Sequence, residues 1–325
     1  MQAEPRDLLM SARFETVDGP QMWVQLPMGQ VHVAVGDPME VVPPELTNEP
    51  GGSAADPGFM FVPLVVEWNL EGRPFIPSFG RQPSPEPVLS LSIGEEEYRL
   101  GRVSMLFTEG AEPAELRRGG YFLHVPKVEV EVSTLALLVE FDGVRQTAYP
   151  DGSRDAGEAG GLYGLPTYVE GQSCAEETWE IEGTLRGYEP RLDCLVKVLD
   201  YPYLAGHGWA HDLAADHSWV IVEASAHFSG VVTEAGQAAW EGCQPRPGRA
   251  NVAVSLGGDE PMVELSSSTP TWGSSVSPRL LVAFLAPRGD DALLQIEGTF
   301  GCFVLTPDDL VDHVLKVSQE VRVSR

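Results

Sequence analysis

Short apolar runs separated by turn residues constrain this chain more than any other feature. Residues 279–305, RLLVAFLAPRGDDALLQIEGTFGCFVL, carry the pattern most plainly. Two apolar runs, 280–286 and 292–305, flank Pro287-Arg288-Gly289-Asp290-Asp291. Neither run is long enough to cross a bilayer as a helix. Pro, Gly and Asp at the break supply turn chemistry, so the stretch predicts a β-hairpin or a pair of sheet-core strands. The rest of the chain repeats this grammar, with 34 Gly and 27 Pro scattered between apolar segments. Such spacing predicts many strands and many turns, and excludes a collagen-like or low-complexity chain.

Several segments read as strands. Residues 22–26 and 30–35 predict a first pair, turned at Pro27-Met28-Gly29. Val31, Val33 and Val35 alternate with His32 and Ala34, which is strand period. Residues 59–70, FMFVPLVVEWNL, predict a long strand in which Pro63 demands an edge position or a bulge. Residues 88–93, 98–107, 121–132 and 135–141 follow as strands, the last in a sheet centre. Residues 113–118 predict one helical turn. In the second half, 179–185, 194–199, 218–232, 251–256 and 262–265 read as strands. One helix is expected over 306–317: Thr306 is a good N-cap, Pro307 suits the first helical position, and Asp308-Asp309 complement the dipole.

The 325 residues suffice for a large core in two units. Residues 1–20 read as an arm in which Leu8-Leu9-Met10 anchors to a neighbour or begins a short helix. Residues 21–142 form a first β-sandwich domain, 143–177 a Gly- and Asp-rich linker or long loop, 178–305 a second β-sandwich domain, and 306–325 a C-terminal helix and tail.

The net charge of −27, from 48 acidic and 21 basic side chains, narrows the function. Such a surface repels phosphate backbones and anionic lipid, so no direct nucleic-acid or membrane partner is expected. Cys174, Cys194, Cys243 and Cys302 lack CxxC spacing, and reduced, mostly buried thiols are expected. Residues 1–19 carry no basic segment followed by an apolar one, so no secretory signal is read there. Together with the absence of a membrane span, this predicts a soluble chain made in the cytosol.

Two constellations invite a chemical reading. His207, His211 and His217 reproduce the i, i+4, i+10 spacing of a zinc-protease helix and turn. On a helix the first two would share a face and hold one metal. Gly208 stands where the catalytic Glu belongs, so no general base is present, and a loop with partly exposed histidines is the plainer reading. Trp68, Trp179 and Trp272 are candidates for stacking sugars, against the plainer reading of core or interface tryptophans. No nucleophile elbow, phosphate loop or dinucleotide fingerprint occurs. No catalytic residue and no cofactor is therefore assigned.

Ser277-Pro278-Arg279-Leu280-Leu281-Val282-Ala283-Phe284-Leu285-Ala286-Pro287-Arg288-Gly289 resembles the strand and turn of picorna-like viral jelly-roll coat proteins. Gly298-Thr299 after the next strand fits the same pattern, with Phe300 where a histidine is usual. The resemblance implies a jelly-roll sandwich and a place in a virion, and the acidic surface points to an outer or decorating subunit. The chain is expected to be mainly β, with two β-sandwich, jelly-roll-like units and a short C-terminal helix. Its expected role is a non-enzymatic structural or assembly subunit, oligomeric, with other copies of itself or other particle subunits as partners. A carbohydrate- or ligand-binding sandwich is the alternative, and a metal-dependent hydrolase using the His207 region the third reading.

Overall fold

A computed structural model describes residues 9–12, 15–47, 52–69, 85–103, 116–127, 134–166, 169–173, 178–182, 188–233, 244–268, 271–272, 275–276, 279–289, 291–305 and 310–323. The chain is mainly β and its sheets are antiparallel, with a sandwich-like character. It divides into two compact units, Met1–Phe75 with Pro83–Thr167, and Ile76–Gln82 with Tyr168–Arg325.

The first unit holds β1 (Leu9–Ala12), β2 (Gln21–Leu26), β3 (Gly29–Val35), β4 (Val41–Val42), β5 (Ser53–Ala54) and β6 (Phe59–Asn69). It continues with β7 (Val88–Ile93), β8 (Glu96–Arg102), β9 (Leu116–Pro126), β10 (Leu135–Phe141), β11 (Val144–Ala148) and β12 (Arg154–Asp155). One five-stranded sheet has the order β1-β9-β6-β3-β2, and the other β12-β11-β10-β7-β8. Strand period sorts the side chains. Val31, Val33 and Val35 on β3, and Val62, Leu64 and Val66 on β6, are buried on one face. Leu89, Leu91, Leu137, Val139 and Phe141 are among the buried residues of the other sheet.

Pro63 does not push its strand to an edge. β6 pairs with β3 on one side and β9 on the other. The proline needs no N–H because β3 ends at Val35, paired with Leu64, and the chain turns there. The Gly36 N–H donates to the Pro63 carbonyl at 2.8 Å, and the next bridge joins Met39 to Phe61. A gap between two partner segments therefore accommodates a residue that cannot donate.

The stretch expected as a linker or long loop, 143–177, holds short strands and a 3-10 turn among its described residues. β11 pairs along β10 from Phe141↔Val144 to Leu137↔Ala148. The 3-10 turn Gly157–Leu162 buries Ala159 and Leu162. Of the helical turn expected over 113–118, residues 116–118 belong to β9, and 113–115 lie outside the described residues.

The second unit holds β13 (Gln172–Ser173), β14 (Thr178–Glu182), β15 (Tyr188–Tyr201), β16 (Tyr203–Leu204), β17 (Gly208–Trp209), α1 (Ala210–Leu213) and β18 (His217–Thr233). After these come β19 (Gln244–Leu256), β20 (Val263–Ser268), β21 (Thr271–Trp272), β22 (Ser275–Val276), β23 (Arg279–Pro287), β24 (Ala292–Leu305) and β25 (Leu310–Val323). The larger sheet runs β13-β15-β18-β22-β21, with β23 also beside β18 and β20 beyond β23. The smaller runs β14-β25-β24-β19.

Two expectations about the C-terminal third are corrected. The apolar pair around Gly289 is not a hairpin: β23 belongs to the larger sheet and β24 to the smaller. Leu280–Phe284 is buried at every position, as a strand covered on both faces must be. The helix over 306–317 is replaced by β25, which pairs with all of β24 from Leu305↔Leu310 to Ala292↔Val323. Thr306 to Asp309, which carried the helix-start signal, lie outside the described residues. A cap is worth about 1 kcal/mol. A full ladder filled with β-branched valines at 311, 314, 317, 321 and 323 outweighs it.

The core reading sets a test. Leu64→Ala removes a fully buried side chain on the central strand. It should lower unfolding free energy by about 2–5 kcal/mol. Leu293→Ala, at a side chain 41% exposed, should change it by less than about 0.5 kcal/mol. Chemical denaturation of both variants measures the contrast.

Candidate functional site

The histidines of the proposed zinc helix are not brought together on a helix. His207 sits in the turn between β16 and β17, His211 on the four-residue α1, and His217 at the start of β18. Gly206 and Gly208 adopt φ of +80° and +82°, which breaks any helix through His207. His207 instead meets the Trp219 ring edge-on at 5.9 Å, and His211 leans on Trp209. Trp209 and Trp219 are fully buried, and the Trp219 Nε1–H donates to the Gly208 carbonyl at 3.0 Å. These histidines frame an aromatic core. Among the described residues no group of three His, Cys, Asp or Glu is placed to hold a metal.

The sugar-stacking tryptophans fare differently from one another. Trp68 points into the core of the first unit and is 8% exposed, so it offers no face to a ligand. Trp179 lies on β14 and Trp272 on β21; their side chains lie outside the described residues, as do those of the four cysteines.

A different constellation emerges on the outer face of the first unit. Register places Trp23 of β2 opposite His32 of β3, His32 opposite Glu67 of β6, and Glu67 opposite Arg118 of β9. Cross-strand partners share a face, so an indole, an imidazole, a carboxylate and a guanidinium form one row across four strands. The row is knit together. Trp23 and His32 stack with ring centroids 5.9 Å apart. Arg118 holds Glu67 Oε2 through Nε at 2.9 Å and through Nη2. Beside the row lies a cavity of about 180 Å³, floored in part by Ala34 and Val65 and bordered by Glu15, Thr16 and Gln21.

The protonation of His32 is set by a chain of hydrogen bonds. Gln25 Nε2 donates to the carbonyls of Leu26 and Gly29 at 3.0 and 3.1 Å, so its Oε1 must accept. Gln30 Nε2 donates to that oxygen at 2.9 Å, which turns Gln30 Oε1 toward His32 Nε2 at 3.2 Å. An acceptor there requires His32 Nε2 to carry the proton and makes neutral Nδ1 an acceptor. Burial pushes the imidazole below its ordinary range, and the Glu67 charge partly offsets that. His32 is therefore a neutral, oriented hydrogen-bonding group at neutral pH.

A second polar assembly seals the strand edge behind this row. β2 is the last strand of its sheet. The Gln25 N–H donates to Tyr163 Oη at 3.1 Å, Tyr163 Oη–H donates to Gln146 Oε1 at 2.6 Å, and Gln146 Nε2 donates to the Gln25 carbonyl at 3.0 Å. This closed ring satisfies both backbone groups of an otherwise open edge. Arg154 covers it, its guanidinium carbon 3.9 Å from the Trp23 ring centroid and 4.8 Å from that of Tyr163. Burial raises the Tyr163 phenol above its ordinary range, with the Gln25 N–H and the Arg154 charge pulling against it.

Sequence reasoning found His32 on the polar side of its strand but not its partners. Glu67, a lone charge in an otherwise apolar run, was the available signal. Arg118 was hidden by the helical reading of 113–118.

No protein-family model, curated protein or solved structure matches this chain. No helix among the described residues is long and apolar enough to cross a membrane.

Two measurements follow from the geometry. By NMR, His32 should titrate below the ordinary imidazole range. Glu67→Gln should lower it further, because it removes the charge that favours the imidazolium. The sign is that of a depressed base: its contribution to stability is complete above the unfolded value of about 6.5 and falls as pH drops below it. Tyr163→Phe strips the Gln25 N–H and Gln146 Oε1 of their partner. It should cost about 1–3 kcal/mol in chemical denaturation.

Proposed function

We propose that this chain is a non-enzymatic structural or assembly protein, a subunit that works through contacts with other copies of itself or with other subunits of a particle. The observation that carries the reading is β1. This four-residue strand is joined to the sheet by one ladder, from Leu9↔Leu123 to Ala12↔Gly120. A backbone ladder does not distinguish a chain's own strand from the same strand of a neighbour. So short a strand yields its place at the β9 edge at little cost, which is the ordinary route to arm exchange between protomers. β20 adds a second contact surface: it pairs with β23 alone among the described strands, and its last three side chains are exposed.

The virion form of this reading draws on the coat-protein resemblance of residues 277–289. In the first unit β2-β3, β7-β8, β10-β11 and β11-β12 are ladders between chain neighbours, while β1-β9, β3-β6, β6-β9 and β7-β10 join strands separated in the chain. The charge of −27 favours basic protein surfaces as partners. A ligand-binding module is the second reading, favoured by the cavity beside His32, Glu67 and Arg118.

Size-exclusion chromatography with light scattering and negative-stain microscopy test the assembly reading. The full chain should form a discrete oligomer, and deletion of residues 1–12 should shift it to a smaller species with its β circular-dichroism signature retained. A full chain that stays monomeric at every concentration would overturn the proposal.

A further inference from the structure

The row of Trp23, His32, Glu67 and Arg118 contributes little to the core of the first unit, and the assembly reading makes no use of it. We propose that the cavity beside this row binds a small, uncharged polyhydroxy ligand, a single sugar ring by size and chemistry. The inference stands apart from the assembly reading.

Charge excludes the alternatives. Glu67 and Arg118 are paired with each other, so neither is a counter-ion waiting for a ligand. An anion would also face Glu15 and Glu67 on the rim, and a cation would have to compete with Arg118 for Glu67. A ligand that supplies donors and acceptors without net charge meets neither obstacle.

The hydrogen-bonding inventory matches hydroxyl groups. Two of the five guanidinium N–H groups of Arg118 go to Glu67 Oε2, which leaves three donors. Glu67 Oε1 supplies an acceptor. His32 Nδ1 supplies another, its tautomer set by the chain through Gln30 and Gln25 to two backbone carbonyls. Gln21 and Thr16 on the border each offer a donor and an acceptor. A sugar hydroxyl both donates and accepts, so planar carboxylate, guanidinium and imidazole groups in one row engage neighbouring hydroxyls. The apolar side chains of Ala34 and Val65 suit the C–H face of the ring. At about 180 Å³ the space lies below the range of about 300–1,000 Å³ that holds larger ligands, so one ring is its capacity. Neither Trp68 nor a stacked tryptophan platform takes part.

Saturation-transfer NMR on the full chain tests this, with glucose, galactose, mannose and N-acetylglucosamine as probes and glucosamine and glucuronate as charged comparators. At least one neutral sugar should receive saturation. Glu67→Gln and Arg118→Lys should each weaken it at least about tenfold, since each removes hydrogen bonds to a charged group. Both variants should keep the wild-type circular-dichroism melting curve within a few degrees, because an exposed pair contributes little to stability. Glu97→Gln breaks a like pair with Arg145 outside the cavity and should leave binding unchanged. Three results would overturn the proposal. One is no transfer to any neutral sugar. Another is preference for a charged comparator. The third is equal loss in the Glu97 and Glu67 variants.

Discussion

The ladder that joins β3, β6 and β9 is the constraint on which the first unit depends. Its register sends Val31, Val33, Val35, Val62, Leu64 and Val66 inward. The same register sends His32, Glu67 and Arg118 outward into one row. Core and candidate site are therefore two faces of one pairing. A slip of one residue would expose the valines and bury the charges, so burial of the apolar face enforces the geometry of the polar one. The site needs no dedicated scaffold, because the hydrophobic effect already holds its residues in line.

Sheet edges are the other organising problem, and the two edges of that sheet are handled in opposite ways. At β2 the Gln25 backbone is closed off by Tyr163 and Gln146, and Arg154 lies over the rings. That edge is withdrawn from pairing. At β9 the edge is covered, among the described residues, by the four of β1. An edge sealed by side chains is committed, whereas an edge covered by a short strand is exchangeable.

How much was legible depended on the range of the interaction. The alternation in VHVAV predicted β3 and the inward face of its valines, because period 2 is a local property. The apolar run at 280–286 was read as a strand for the same reason. Its partner was not legible: β23 pairs with β18 and β20, and β24 lies in another sheet. Local signals misled where a long-range ladder overrode them. Thr306-Pro307-Asp308-Asp309 carries helix-start chemistry, yet the residues after it pair along β24 for their whole length. The histidines at 207, 211 and 217 have metal spacing only if a helix runs through them, and the two glycines at 206 and 208 forbid it.

By itself the sequence determined the class of structure, a mainly β chain with turn residues between its strands, and the net acidic charge. Those follow from composition and from periods of two residues, which neighbouring side chains alone express. Tertiary structure decided which strands meet, and with that the row from Trp23 to Arg118, the sealed edge at Gln25 and the cover of β1 on β9. The physical reason is that His32, Glu67 and Arg118 are far apart in the chain and no local propensity couples them. Their meeting is a consequence of register, and register is settled only when the whole sheet buries its apolar face at once.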